Sequence, residues 1–145
     1  MNDKQKIEQL LKNYRQIKSN IQIELTKEYP EFALDSVSFI KMSGKQSYSG
    51  TSQQERYVLN KYDISEDLQN QIIVRDIIRV AYESLPVELR RVVVNYYFEN
   101  KGVKGTAVQM GWSEDTIRRR KEDILINLKK AGILKAWEIW RGIRV

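Results

Sequence analysis

The feature that most constrains the fold is a helical apolar period that runs through the first 29 residues. Apolar side chains recur there at spacings of three and four, which is the pattern of one helix face. They are Ile7, Leu10, Leu11, Tyr14, Ile17, Ile21 and Leu25. Because nothing that breaks a helix occurs before Pro30, we predict one amphipathic helix over residues 3–29, about 40 Å long at 1.5 Å per residue.

A helix of this length is too long for a small domain to cover, so its apolar stripe needs a partner. The stripe lies near a heptad repeat, and two copies of it could pair as a short coiled coil. The alternative is that the stripe packs on later helices of the same chain. Of the two we favour pairing, which predicts that residues 1–30 serve a homo-oligomer through residues 1–29.

The helical period is interrupted after residue 30. Residues 31–53 hold loosely spaced apolar residues and then the run SGKQSYSGTS, so we predict an irregular segment with a linker. The fragment Gly44–Ser47 lacks the other residues of a phosphate-binding loop.

A helical segment is predicted over residues 54–84. Ser52 and Glu55 match a capping box, and Ser65 is placed to start a second helix. The predicted inward stripe of that helix is Leu68, Ile72, Ile73, Ile77, Val80 and Leu85.

Composition removes several function classes. The chain has no His and no Cys, which excludes Ser-His-Asp and Cys-His nucleophile systems, Cys or His zinc sites and disulfides. A metal-dependent nuclease would need a tight acidic cluster with a neighbouring Lys, and the sequence shows none. We therefore predict no catalytic residues, no metal and no cofactor. The sequence also shows no membrane-spanning run and no secretory stretch, and we expect a soluble cytoplasmic protein.

The positive charge is concentrated in the last part of the chain. The formal net charge is +6, and residues 85–145 alone carry thirteen basic and seven acidic side chains. A basic segment beside a nearly neutral remainder indicates an anionic partner, with nucleic acid the leading candidate. The alternative is a solvated helical surface.

The helical pattern is clearest within this basic segment. Pro86 suits the first turn of a helix that runs to about Phe98, and a turn over residues 100–102 follows. A short helix over residues 104–110 comes next, with three residues predicted inward. These are Ala107, Val108 and Met110.

A second helix is predicted directly after the short one. Gly111 is expected to end the short helix in a left-handed conformation, and Ser113 to cap the next. Trp112 is interpreted as a core residue between the two helices, and Trp137 and Trp140 as packed residues of a last short helix. This order is that of a helix-turn-helix, so we predict a DNA-binding domain over residues 85–145 in an all-α protein.

The candidate DNA-contacting residues follow from the orientation of that second helix. Ile117, Ile124 and Leu128 are predicted inward, which leaves the first half of the helix free to enter a major groove. The candidates for reading bases are Glu114, Asp115, Arg118, Arg119 and Glu122. The candidates for phosphate contact are Lys101, Lys104, Arg120, Lys121, Lys129 and Lys130. Ser113 could cap the helix or contact a phosphate, and the cap is the favoured role.

Residues 85–132 resemble region 4 of bacterial sigma factors. The shared features are an LP opening with a following Arg and Val, a Tyr-Phe-acidic helix end, a helix that ends in Met-Gly, and a Ser-acidic-x-Thr-Ile start of the reading helix. Two places depart from the family: Gly105 and Thr106 replace acidic residues, and Lys121 replaces an apolar one. The resemblance implies a sigma region 4-like helix-turn-helix that reads DNA through Ser113 and the base-reading candidates.

The chain is small, begins with a helical part and has a Ser- and Gly-rich middle, which leads through an S-x-x-E-R run at residues 52–56 to the LP opening. In these features it resembles phage late-gene transcription activators of the ArpU and RinA type, more loosely over residues 1–84 than over residues 85–132. The residues before 85 contain no counterpart of the promoter-melting region of sigma factors, so a complete sigma factor is not expected. The resemblance implies a double-stranded DNA-binding regulator that raises transcription of phage packaging and structural genes by host RNA polymerase. Two alternatives remain open: a phage small terminase subunit that recognises packaging DNA, and a helical protein-interaction module.

Overall fold

A computed structural model describes residues 1–28 and 64–143, and every regular element in these two ranges is helical. The elements are α1 (Asp3–Glu28), α2 (Glu66–Glu83), α3 (Val87–Val93), a π-helical segment (Val94–Phe98), α4 (Gly102–Met110), α5 (Glu114–Lys130) and α6 (Leu134–Ile143). The predicted all-α fold is confirmed for this part of the chain. The predictions for residues 31–53, and for a helix just after them, lie outside the described residues.

Helix α1 is the spine of the core. It packs against α2, the π-helical segment, α5 and α6, and each of its seven stripe residues, from Ile7 to Leu25, is at most 6% exposed. The prediction that residues 1–29 assemble an oligomer through this stripe therefore needs correction. The later helices of the same chain already cover those side chains, so the stripe offers no apolar surface for pairing.

Helix α2 begins and ends as predicted but turns a different face inward. The Ser65 hydroxyl accepts a hydrogen bond from the Leu68 amide at 3.3 Å, so the predicted cap is confirmed. Ile73 and Val80, predicted inward, are 44% and 56% exposed. Apolar residues surround most of this helix, so spacing alone selects no face, and packing between α1 and α6 decides it. The buried residues of α2 are Leu68, Ile72, Val74, Arg75, Ile78 and Ala81.

The helix predicted to run to Phe98 changes its winding part-way. Residues 94–98 are π-helical, and the amide of Glu99 then bonds to the Val94 carbonyl at 2.8 Å. Such wider turns are uncommon and short, and no pattern in the sequence indicated one. The predicted turn that follows is confirmed, with positive φ at Asn100 (54°) and Gly102 (69°).

One hydrophobic core extends from Ile7 in α1 to Trp140 in α6. Residues 1–28 and residues 85–143 share it, so the two predicted regions pack as one body. Trp137 and Trp140 meet edge to face at 5.6 Å between ring centroids, in agreement with their predicted packing role. None of the helices in the described ranges has the length and apolar character that crossing a bilayer requires.

Candidate nucleic-acid interface

Helices α4 and α5, with the turn between them, form the centre of the candidate interface, and we call residues 102–130 the α4–α5 unit. Gly111 ends α4 with φ at 70°, and the Trp112 amide bonds back to the Ala107 carbonyl at 3.0 Å. The Ser113 hydroxyl accepts a hydrogen bond from the Thr116 amide at 3.2 Å. The predicted left-handed stop and the predicted cap are both confirmed, and Ser113 is thus engaged in starting α5.

The inward side of the α4–α5 unit is mostly as the sequence indicated. Ile117, Ile124 and Leu128 are fully buried, and α5 packs on α4, α3 and α1. The prediction for Val108 is wrong, because its side chain is 84% exposed. Thr106 takes the inward position instead and is fully buried. Because Thr106 carries a polar hydroxyl, the apolar pattern of the sequence did not indicate its inward position. That hydroxyl has no hydrogen-bond partner among the described residues.

The first half of α5 carries two neighbouring arginines that differ in their ion pairs. Arg118 is held by its own helix, with its guanidinium 3.0 Å from the Asp115 carboxylate and 3.9 Å from that of Glu114. Arg119 is exposed and forms no ion pair with any residue in the described ranges. Among the described residues, this face therefore offers one guanidinium without an ion pair, one restrained guanidinium and two carboxylates. Together they can both donate and accept hydrogen bonds.

Arg120 lies at the edge of this face. Its guanidinium is 5.8 Å from the centre of the Trp112 ring and 3.9 Å from the Asp123 carboxylate. Trp112 is half-buried and packs against the core, which agrees with its predicted role. A groove beside Arg120 is lined by Thr116, Arg119 and Asp123, so Arg119 and Arg120 border the same open space.

Three predicted site residues contact the first turns of α1. Lys121 is 3.4 Å from the Glu8 carboxylate and 3.5 Å from the Tyr96 hydroxyl. Its predicted exposure to phosphates is not what the structure has, since the side chain is only 25% exposed. Partial burial lowers the pKa of Lys121. The charge of Glu8 and the contact with Tyr96 raise this pKa by a larger amount, so the net shift is upward.

Glu122 and Lys129 complete this contact between α1 and α5. Lys4 donates to the Glu122 carboxylate at 2.6 Å, and this bond lowers the pKa of Glu122. Lys129 lies 3.0 Å from Asp3 and lowers the pKa of that carboxyl. Both ion pairs are more than 40% exposed on each side, so water screens them and neither contributes much to stability. The sequence could not reveal them because the partners are more than 100 positions apart.

Glu8 is a residue that the sequence analysis missed. Its carboxylate contacts Lys121 on α5 and accepts a hydrogen bond from the buried Tyr97 hydroxyl at 3.0 Å. Burial and the charge of Glu8 both raise the pKa of Tyr97. One carboxylate of α1 therefore ties the π-helical segment to α5, and the only signal for it was a polar position beside the apolar stripe.

The remaining predicted phosphate contacts lie at the two ends of the α4–α5 unit. Lys104 is exposed on α4 and lines a surface depression with Val108, Ser113 and Glu114. Lys101 precedes α4 and is 3.0 Å from Glu99. Lys130 is exposed at the last residue of α5. Of the predicted phosphate contacts, Lys104 and Arg120 therefore lie nearest to the start of α5.

Comparisons with known proteins give no relative for this arrangement. No family model matches the chain, and no curated protein or solved structure is similar to it.

Proposed function

We propose that this protein binds double-stranded DNA in a sequence-specific manner, with the α4–α5 unit acting as a helix-turn-helix. The observation that carries the proposal is the two-sided character of α5. Its inward residues are fully buried, while Arg118 and Arg119 are exposed beside the capped start of the helix. The major groove of B-DNA admits one α-helix, and reading helices of this kind contact base edges through their first residues.

The two arginines are assigned different parts in this proposal. Arg119 can direct two donors at the O6 and N7 acceptors of a guanine without first breaking an ion pair. Arg118 can contact a base only if it breaks its ion pair with Asp115, or if the Asp115 carboxylate moves with it to the base. Asp115 and Glu114 can accept from the amino group of a cytosine, so a mixed site containing both G and C is the expected target.

Phosphate contacts would then come from cations around this face. Lys104 and Arg120 are the nearest candidates, and Lys101 and Lys130 lie at the ends of the unit. Lys121 and Lys129 are excluded from this set because they contact α1. Phosphate contacts fix the position of a protein on the duplex without reading sequence.

We further propose that the protein regulates transcription, and that it activates phage late genes through host RNA polymerase. This part rests on the resemblance of residues 85–132 to sigma region 4 and of the whole chain to ArpU- and RinA-type activators. The basic C-terminal segment, whose charge equals that of the whole chain, is consistent with a partner that is DNA. The regulatory step is tested by transcription of a late-gene promoter with purified host polymerase, with and without the protein.

DNA binding is tested by selection of bound duplexes from a random pool, followed by affinity measurements on the Arg119→Ala variant. We expect Arg119→Ala to lose about 1–3 kcal/mol on the selected site and to relax the base preference at one position. Arg141→Ala is the matched control, because Arg141 is exposed on α6 and its loss changes the net charge equally.

Two results would contradict the proposal. If selection yields no consensus while binding falls steeply with salt, the attraction is one of general charge. If Arg119→Ala weakens the selected site and random duplex equally, Arg119 contacts a phosphate and α5 does not read bases through it.

A further inference from the structure

A second basic groove lies on the far side of α4 from the start of α5. It encloses about 600 Å³ between α3, the π-helical segment and α4. Its polar lining includes Arg90, Arg91, Asn95, Lys101 and Gln109. Three of these side chains are cationic, and the one carboxylate in the lining is that of Glu99. The groove therefore carries an excess of positive charge.

The positive charge of this groove is only partly neutralised by the chain itself. Lys101 is compensated, because its ammonium lies 3.0 Å from Glu99 and 3.1 Å from the Asn95 side-chain oxygen. Arg90 and Arg91 form no ion pair with any residue in ranges 1–28 and 64–143. Two neighbouring guanidinium groups thus line one concave surface without a counter-charge from the part of the chain that the structure describes.

The Nε group of Arg90 provides an independent observation. This atom is buried and has no hydrogen-bond partner within the described residues. Buried N–H groups in folded proteins are nearly always paired, and leaving one unpaired is costly. A guanidinium presents its donors as a planar fork that matches two oxygens of one phosphate. An acceptor of that shape in the groove would satisfy Arg90 if its side chain turned to bring the buried Nε to the groove surface.

We propose that this groove binds a phosphate group, and that in the complex it is a backbone phosphate of the DNA strand that flanks the bases read by α5. The proposal rests on the proposed function. The position of α4 supports it, because Lys101 and Gln109 border this groove while Lys104 and Val108 border the depression that reaches Ser113. In this proposal a duplex seated at the start of α5 also lies over α4, and one of its strands reaches the groove.

The test compares Arg91→Gln and Arg90→Gln with Arg141→Gln, which removes the same charge from exposed α6. Arg91 is exposed, so its substitution leaves folding intact, and thermal melting checks the half-buried Arg90. Binding to the selected site and to random duplex is measured at several salt concentrations. We expect each groove variant to reduce the salt slope by about one on both duplexes and to keep their affinity ratio.

The control variant should leave the salt slope unchanged. If both groove variants bind as Arg141→Gln does, the groove contacts no DNA phosphate and the proposal is overturned. If instead the affinity ratio changes, these arginines read bases and the assignment to phosphate is wrong.

A second measurement separates a DNA phosphate from a free one. Wild-type protein is titrated with inorganic phosphate at constant ionic strength, and the NMR signals of the Asn95 and Gln109 amides and of Arg90 Nε–H are followed. One outcome is that wild-type protein binds no duplex, that inorganic phosphate shifts these signals, and that Arg90→Gln abolishes the shift. In that case the proposed function fails, and the groove is a site for a small phosphate. If neither duplex nor phosphate engages the groove, both proposals fail.

Discussion

The hydrogen bond between Tyr97 and Glu8 joins segments 89 positions apart, so its removal measures how firmly α1 holds the π-helical segment. Tyr97 is 2% exposed and its hydroxyl donates to the Glu8 carboxylate at 3.0 Å. A hydrogen bond to a charged group contributes about 1.5–3 kcal/mol. Glu8 is partly exposed and keeps Lys121 as a partner, so we expect Tyr97→Phe to lower the free energy of unfolding by about 1.5 kcal/mol. The melting temperature should fall by about 5 °C.

The assay is urea unfolding of a double-mutant cycle that combines Tyr97→Phe with Glu8→Ala. The Glu8→Ala variant should lose about 2–3 kcal/mol, because it leaves a buried hydroxyl without an acceptor and Lys121 without a counter-charge. The expected coupling energy is about 1–1.5 kcal/mol, within the range of contacting pairs. Tyr14→Phe is the matched control. It removes a hydroxyl from the same core, and no hydrogen bond of that hydroxyl is found among the described residues.

The pH dependence gives a second readout of the same contact. Burial and Glu8 raise the pKa of Tyr97, so the folded state retains the phenolic proton more strongly than the unfolded state does. The resulting stability is fully present below the ordinary Tyr pKa of about 10 and is lost as pH rises above it. Tyr97→Phe should lack this part of the alkaline decline. A coupling energy near zero, or an alkaline profile equal to that of wild type, would refute the reasoning.

Three further predictions follow from other parts of the structure. Asp115→Asn releases Arg118 from its 3.0 Å ion pair, and we expect binding to random duplex, measured by fluorescence anisotropy, to tighten by about 1.5–5-fold; unchanged binding would mean that this pair does not limit Arg118. Gly111→Ala meets no atom within 4 Å of the added Cβ, so its cost of about 1 kcal/mol comes from the left-handed backbone alone. Urea unfolding checks this, and Gly111→Asn should cost less. Deletion of residues 1–28 should abolish cooperative thermal unfolding, seen by circular dichroism, and a truncated protein that melts cooperatively would show that α1 is dispensable for the fold.

Features that depend on a few consecutive residues were predictable from the sequence. The caps at Ser65 and Ser113 and the left-handed stop at Gly111 were all placed correctly. Each depends on a side chain or a backbone angle within about four residues, where the sequence itself defines the geometry. The outward position of Arg118 and Arg119 followed in the same way from the inward spacing of α5.

Features that depend on distant segments were not predictable. The side of α2 that is buried depends on α1 and α6 together, which is why Ile73 and Val80 were misplaced. The stripe of α1 could equally have met a second chain or the same one, since an apolar face does not specify its partner. The inward position of Lys121 was predictable, because residue 121 falls between Ile117, Ile124 and Leu128 at helical spacing. Its partner Glu8 was not predictable, since no local pattern links the two residues.

The central position of α1 has a consequence for synthesis of the chain. The stripe from Ile7 to Leu25 leaves the ribosome well before α5, one of the helices that cover it, which ends at Lys130. At elongation rates of about 5–20 residues per second, the stripe waits roughly 5–20 s for that cover. During that interval the nascent polypeptide displays a row of apolar side chains, so a holding chaperone is expected to associate with it before release.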